Sequence, residues 1–519
     1  MARVIVVSNR IPLPNAVGGS KAGGLAVVLK SAVKVNALWL GWSGKIATQP
    51  SPDAKVVTHN GVDYATIDLS EEEYRKFYLG YSNGTLWPLL HFQLGLIEFR
   101  REQLEGYRRV NERFARALKT LLRPDDLIWA HDYHLIPLAN ALRALGVTNR
   151  IGFYLHVPFV PSSVFAALPQ GDALLRDLCA YDVVGFQTAE HHHDFLDTVS
   201  QILQYPTDND GTIFTPEGVV RSIVTPVGID GGAFRDQAQR AASGKNTRRL
   251  LDSLVGRQLM IGVDRLDYSK GLPNRFEAFN RLLSRFPEHK QHVSFLQIAA
   301  PSREEVREYA ALRPELNRIA GDINGRHGAF DWVPLRYMSQ NVARSTLAGF
   351  HRVARVGVVT PSRDGMNLVA HEYVSAQDPA DPGVLILSKF AGAASYFEDA
   401  LIVNPFDPDE TAEAMNQALT MPLEERQRRH EGLFERVSEM TAESYCSAFM
   451  AALSAQPRRA IGLWPRGRRE LALGGEAGPA PSKPRRAAVA ADPLPGFAVP
   501  LPEAERNDPD DPKPPHIQR

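Results

Sequence analysis

The chain has 519 residues, 44% hydrophobic and 23% charged, which is ordinary globular usage and too long for one compact core, so two domains of roughly 100–200 residues each are expected. Lys plus Arg equals Asp plus Glu at 59 each, so no global field draws the chain to nucleic acid or to an anionic membrane, and any anion must be held by local groups. The first apolar run, Val4 to Val7, is too short for a secretory h-region, and no run approaches a membrane span. Cys179 and Cys446 form no spaced framework, and the expectation is a cytoplasmic chain with two buried thiols.

Short β-rich runs alternate with longer amphipathic stretches, beginning with VIVVSN at Val4, LIWAHD at Leu127, IGFYLH at Ile151, DVVGFQ at Asp182 and IVTPVG at Ile223. A polar, Arg-rich helical stretch from Asp236 to Arg257 follows. The rhythm then restarts with LMIGVD at Leu259, VSFLQIA at Val293, VGVVTP at Val356, GVLILS at Gly383 and ALIVNP at Ala400. This pattern predicts an α/β protein of two doubly wound, Rossmann-like domains facing a central cleft, over residues 1–235 and 236–455, with the last helix able to pack back on the first domain. Beyond residue 455 the sequence dissolves into Pro, Arg, Gly and Ala, and residues 456–519 are expected to be a disordered tail.

Three segments carry chemistry. After the first strand, a loop with Gly18, Gly19, Gly23 and Gly24 opens a helical stretch and suits phosphate, although its spacing is not the dinucleotide fingerprint and a plain loop reads as well. In VDRLDYSKGL, Arg265 and Lys270 follow a strand and Gly271 permits a tight turn, so the pair can clamp a diphosphate; a solvated loop is the alternative. In VGVVTPSRDGMNLVAHEYVSAQ, a strand runs through a turn at Asp364 and Gly365 into a helix. Asp364 at the turn can meet sugar hydroxyls, Glu372 about two helical turns further can accept from a ribose, and the N–H groups of Leu368 and Val369 remain available to phosphate. An N-capping Asp with an unrelated helix Glu is the plainer reading of that pair. HDYHL and the run His191–His193 lack the carboxylate or Cys spacing of a metal site, and no metal is expected.

Taken together, SNRIP, SKAGGLAV, LWPLLHF, HDYHL, HVPF, RLDYSKGL and RDGMNLVAHEY resemble the trehalose-6-phosphate synthase family of retaining glycosyltransferases, in order from about Arg3 to Ala455. The resemblance implies the two-lobed GT-B fold and transfer of glucose from a nucleotide sugar, UDP-glucose being favoured, to glucose 6-phosphate, giving α,α-trehalose 6-phosphate. It implies no required cofactor and a homo-oligomer. It puts Arg10, Trp42, Tyr78, Trp87, Asp132 and Arg303 around the acceptor. Gly23, Gly24, Arg265, Lys270, Val342 and the run Leu368, Val369, Ala370, His371 and Glu372 go to the donor, with His156 and Asp364 at the transferred glucose. Among these, His156, Arg265, Lys270 and Asp364 are the catalytic candidates.

Three positions depart from the family pattern. Val342 stands where an aromatic residue is common, Ser362 where Leu is common, and His371 where Lys is common; the first bears on packing of the nucleotide base. Rival readings are a related transferase making another phosphorylated glycoside or pseudo-disaccharide, a nucleotide-sugar epimerase, and a non-catalytic sugar-phosphate sensor. An acceptor phosphate clamp argues against the epimerase, and the set of charged residues against the sensor.

Overall fold

The computed structural model describes residues 2–11, 28–29, 36–303 and 305–457. The glycine loop with Gly23 and Gly24, and the tail from residue 458, lie outside the described residues. The described residues belong to one compact unit, Met1–Leu463.

Two sheets organise that unit. The first has nine strands in the order β3-β4-β2-β1-β5-β6-β7-β9-β8. Its strands are β1 (Val4–Arg10), β2 (Ala37–Ile46), β3 (Lys55–His59), β4 (Val62–Leu69), β5 (Leu127–His131), β6 (Arg150–Tyr154), β7 (Val183–Phe186), β8 (Thr212–Thr215) and β9 (Gly218–Val224). All neighbours are parallel except the outer pairs β3/β4 and β8/β9. The second sheet is wholly parallel, β12-β11-β10-β13-β14-β15. Its strands are β10 (Gln258–Arg265), β11 (Val293–Ala300), β12 (Leu335–Met338), β13 (Val356–Val359), β14 (Val384–Ser388) and β15 (Leu401–Val403). The expected α/β architecture of two mainly parallel sheets is therefore the one found, and each expected run contributes to a strand. The five further strands β2, β3, β4, β8 and β12 were not read from the sequence.

The inner strands are parallel because both their faces are covered, which requires near-continuous apolar runs. Every residue of β5, β7, β13 and β14 is buried. In β10, Met260 points into a core shared with Phe276 and Met415, while its neighbour Ile261 points into the opposite core with Phe234 and Ala370. That alternation gives the second sheet a helix layer on each side. One face of the first sheet packs Val7, Ile128 and Phe153 against Tyr107 and Phe114 of the helix Arg101–Lys119.

The other face receives the last described helix, Ala442–Ala455. Its Phe449 stacks on Trp129 with ring centroids 4.6 Å apart. Gly152 and Gly185 make room for that ring: a Cβ on either would lie 2.6 or 2.9 Å from Phe449.

In each sheet the chain order reverses beside the first strand, at β1 between β2 and β5 and at β10 between β11 and β13. Such switch points open a crevice beyond the strands' carboxyl ends. The second is braced by Arg275, which is 1% exposed. Its guanidinium donates to Asp264 of β10, to Gln297 Oε1 of β11 at 2.9 Å, to Thr360 Oγ1 after β13 at 2.9 Å, and to the Lys270 carbonyl at 3.3 Å. Burial pushes the Asp264 carboxyl up, and Arg275 opposes that shift.

Removing Arg275 would leave the Asp264 carboxylate buried and uncompensated. Arg275→Met is expected to cost about 3–5 kcal/mol of stability. The double variant with Asp264→Asn should recover part of the loss, both read from denaturant midpoints.

Candidate active site

Of the residues expected around the acceptor, Arg10 ends β1, and its guanidinium lies 5.6 Å from the Trp42 ring centroid. Trp42 packs against Tyr78 at 5.9 Å, and Tyr78 stacks on His134 of the HDYHL segment at 5.9 Å and 12°. Tyr78 belongs to Tyr74–Leu86, a stretch wound as a π-helix, a rare form frequent at functional sites. Trp87 follows immediately, is 3% exposed and stacks on His91 at 4.0 Å. Its indole N–H is buried and has no partner among the described residues.

Arg303, beyond β11, covers the Trp87 ring at 3.9 Å and donates to Tyr309 Oη at 2.6 Å and Tyr133 Oη at 3.1 Å. Its charge also lies 3.7 Å from the Asp267 carboxylate. Arg303 has φ 49° and Asp132, following β5, has φ 76° and ψ 163°. Non-glycine residues in such conformations are held there by their surroundings and concentrate at functional sites. Burial pushes the Asp132 carboxyl from 3.8 up to about 6, although the N–H groups of Tyr133 and His156 and the charges of Arg303 and Arg265 pull it down.

Of the residues expected at the donor, Lys270 meets Asp364, Nζ to Oδ2 at 2.5 Å, and Asn367 Nδ2 donates to the same oxygen at 3.0 Å. Asn367, with φ 74°, caps the helix Leu368–Ala376 by accepting from the Val369 N–H, so the helix cap is Asn367 and not Asp364. Gly271, at φ 64°, lets the Lys270 loop pass close to Thr360: a Cβ there would lie 2.7 Å from the Thr360 carbonyl. The Ser269 carbonyl accepts from the Ser362 and Arg363 N–H groups at 2.9 and 3.3 Å, joining the two cation-bearing loops. Arg265 stands beside them with its side chain 47% exposed, 3.8 Å from Asp267 and 5.5 Å from the Trp87 ring centroid. Burial alone would raise the Asp267 carboxyl, but Arg265, Arg303 and Lys270 together hold it below the usual range.

Glu372 is paired with Arg344 at 2.7 Å, and burial raises its carboxyl despite that partner. Val342, Leu368 and Val369 pack half-buried on one cluster. Ala370 and His371 are fully enclosed; the His371 ring lies against Phe397, so it turns away from solvent where the family pattern has Lys. Elements of the two sheets meet at His156. Gly365 lies so close to the His156 backbone that a Cβ would sit 2.0 Å from its carbonyl oxygen. His131 Nδ1 approaches His156 Nε2 at 3.0 Å.

Sequence reasoning named neither His131, His91, Tyr133 and Tyr309 nor Arg344. The first three lie inside motifs singled out for other residues, whereas Tyr309 and Arg344 carried no local signal. Of the run His191–His193 only His193 is exposed, His191 being buried in the helix Ala189–Thr198. Cys179 and Cys446 are both buried, outside any disulfide. Among the described residues no group of three His, Cys, Asp or Glu side chains could hold a metal ion, and no helix is long and apolar enough to cross a membrane.

The raised Asp132 carboxyl gives a stability prediction. A folded-state value above the unfolded one means that the ionised carboxylate costs stability, a cost absent below about pH 4 and complete above about pH 6. Asp132→Asn should therefore stabilise the fold at pH 7.5, by on the order of 1–2 kcal/mol after allowing for solvent screening, and the gain should fade as pH falls from 6 to 4. Paired thermal melts across that range check it.

The glycosyltransferase family 20 model matches residues 2–455. A trehalose-6-phosphate synthase of Sinorhizobium fredii is 44% identical over 463 residues, covering 88% of this chain and 100% of its own. Among solved structures, an α,α-trehalose-phosphate synthase (UDP-forming) from Burkholderia xenovorans in complex with glucose-6-phosphate is 45% identical with a TM-score of 0.84, covering 87% of this chain and 100% of its own. An E. coli structure described as trehalose-6-phosphate bound with UDP-2-fluoro glucose is 43% identical with a TM-score of 0.84, over 88% of this chain and 100% of its own. With matches of this length and identity, the chain belongs to glycosyltransferase family 20.

Proposed function

We propose that the chain transfers glucose from UDP-glucose to glucose 6-phosphate with retention, releasing UDP and α,α-trehalose 6-phosphate. The observation that carries this reading is two cationic clusters meeting at Trp87, with Arg303 at 3.9 Å and Arg265 at 5.5 Å from its ring centroid. Arg303, Arg10 and Tyr78 hold the acceptor's phosphate, Trp42 and Trp87 offer apolar faces to its ring, and Asp132 orients a hydroxyl. Arg265 and Lys270 take the donor diphosphate. Glu372 accepts from the ribose, Val342 packs near the base, and the Leu368 N–H faces phosphate at the helix start, the Val369 N–H being taken by the Asn367 cap. Asp364 and His156 contact the glucose.

No protein nucleophile is assigned. The diphosphate oxygen released as the glycosidic bond to the donor breaks takes the proton of the attacking acceptor hydroxyl on the same face of the ring, and the new bond forms there. Lys270 and Arg265 stabilise the charge that accumulates on the leaving group, and the acceptor residues supply orientation. Residues 1–235 form the acceptor lobe and 236–455 the donor lobe in this reading. It requires no metal or organic cofactor, and it extends to a cytoplasmic, homo-oligomeric protein. Incubation with UDP-, ADP- and GDP-glucose and glucose 6-phosphate, with the product identified by mass spectrometry and NMR, tests the reaction against a related phosphorylated glycoside.

Arg303→Ala is expected to raise the KM for glucose 6-phosphate roughly 10- to 100-fold with little change in donor KM. If wild type uses unphosphorylated glucose as well as the phosphate ester, the clamp is wrong. Lys270→Met keeps much of the packing of the stem and removes the charge, and kcat should fall roughly 100- to 1000-fold. An unchanged kcat with only a raised donor KM would reduce Lys270 to a ground-state tether.

A further inference from the structure

His131 ends β5 and is fully buried, and His156 follows β6 two residues beyond the strand. Their rings stack at 5.3 Å and 28°, and Nδ1 of His131 lies 3.0 Å from Nε2 of His156. On its other side the His131 ring packs on Trp129 at 4.4 Å, and its Nε2 is buried with no hydrogen-bond partner among the described residues. Two arrangements of one proton satisfy the shared contact. If His156 were the donor, a neutral His131 would carry its proton on Nε2 and bury an orphan N–H. If His131 is the donor, its Nε2 is an unprotonated acceptor. Buried orphan donors are rarer than under-satisfied acceptors, so the second arrangement wins.

We infer that His131 is a positioning residue: it donates Nδ1–H to His156 Nε2, fixes His156 as the Nδ1–H tautomer, and thereby makes His156 a hydrogen-bond donor to a hydroxyl oxygen of the transferred glucose. The inference rests on the reading of His156 given above. His156 Nδ1 has no partner among the described residues and is the nitrogen left for a ligand. The main chain of His156 is held on two sides, its N–H by the Asp132 carboxylate at 3.3 Å and its carbonyl by the close approach of Gly365. Ring orientation and tautomer are then the freedoms that remain, and one hydrogen bond from His131 fixes both. Burial holds both imidazoles neutral, His156 down to about 3 and His131 well below its usual range. A neutral pair has a single proton to assign at the contact.

The test uses the full chain labelled with ¹⁵N-imidazole histidine, with the His156 signals assigned by their loss in His156→Gln. Wild type should show His156 protonated at Nδ1. His131→Phe keeps an aromatic ring beside Trp129 without the donor, and His156 should then shift towards the Nε2–H tautomer. His131→Asn places an amide N–H where Nδ1 stood and should retain the wild-type signal. With UDP-glucose and glucose 6-phosphate, His131→Phe should lower kcat roughly 5- to 50-fold, leave the acceptor KM unchanged, and be largely rescued by His131→Asn. Across monodeoxy UDP-glucose donors, one position should carry a penalty in wild type that shrinks in both His156→Gln and His131→Phe. A wild-type His156 found as the Nε2–H tautomer overturns the inference without need of any variant. Unimpaired turnover by His156→Gln overturns the reading of His156 and the inference with it. A crippled His156→Gln beside a His131→Phe that keeps the wild-type tautomer and donor profile overturns the inference alone.

Discussion

The buried guanidinium of Arg275 sets the geometry on which the Lys270–Asp364 cluster depends. Its partners come from β10, β11, the exit of β13 and the backbone of the Lys270 loop. Those are the elements that diverge at the switch point, where the crevice opens. A buried ion pair returns little net stability once desolvation is counted, and its best-attested use is to specify one arrangement over others. Arg275 does this for Lys270: it holds the loop's carbonyl from behind, leaving the ammonium to face Asp364. Ser269, bonded to the Ser362–Arg363 backbone, extends the same bracing to the turn that carries Asp364.

The cluster around Arg303 is assembled across the two sheets. Arg303 follows a strand of the second sheet, yet its partner Tyr133 follows a strand of the first. Val306 and Tyr309, just beyond it, belong to the core cluster built on the first sheet. Arg363 repeats the pattern, lying over the Phe92 ring at 3.8 Å and meeting Glu190 at 3.3 Å, and Tyr396 Oη donates to the Gln187 carbonyl at 2.7 Å. The site therefore exists only while these contacts hold. Its strained residues, Asp132 and Arg303, are kept in place by partners from the opposite sheet as well as from their own.

What the sequence revealed follows from what is local. The inner parallel strands are short unbroken apolar runs and were readable, as was the turn-to-helix passage after β13. β2 was missed because ALWLGWSGKI carries two glycines and a polar end, and β3 because all five of its residues are exposed on a sheet edge. In the site, the cations and carboxylates inside motifs were legible, while their partners were not. Glu372 finds Arg344 and Arg303 finds Tyr133 through the fold, at separations of 28 and 170 positions in sequence. The helix cap fell to Asn367 because its left-handed backbone aims the amide at both Asp364 and the Val369 N–H, a geometry that residue spacing does not encode.

The seat of Phe449 sets an order on synthesis. The face of the first sheet that carries Trp129, Tyr154 and the two glycines is complete only when the helix Ala442–Ala455 has been made, although the strands beneath it are finished by Val224. A nascent chain emerging from the ribosome carries that apolar face uncovered while more than 200 residues of the second sheet and its helices are still being added. Such surface is what chaperones bind and what drives nascent chains to associate. The first sheet can nucleate early, but its last covering arrives only with the helix Ala442–Ala455, so its native packing is reached late, after the second sheet has been made.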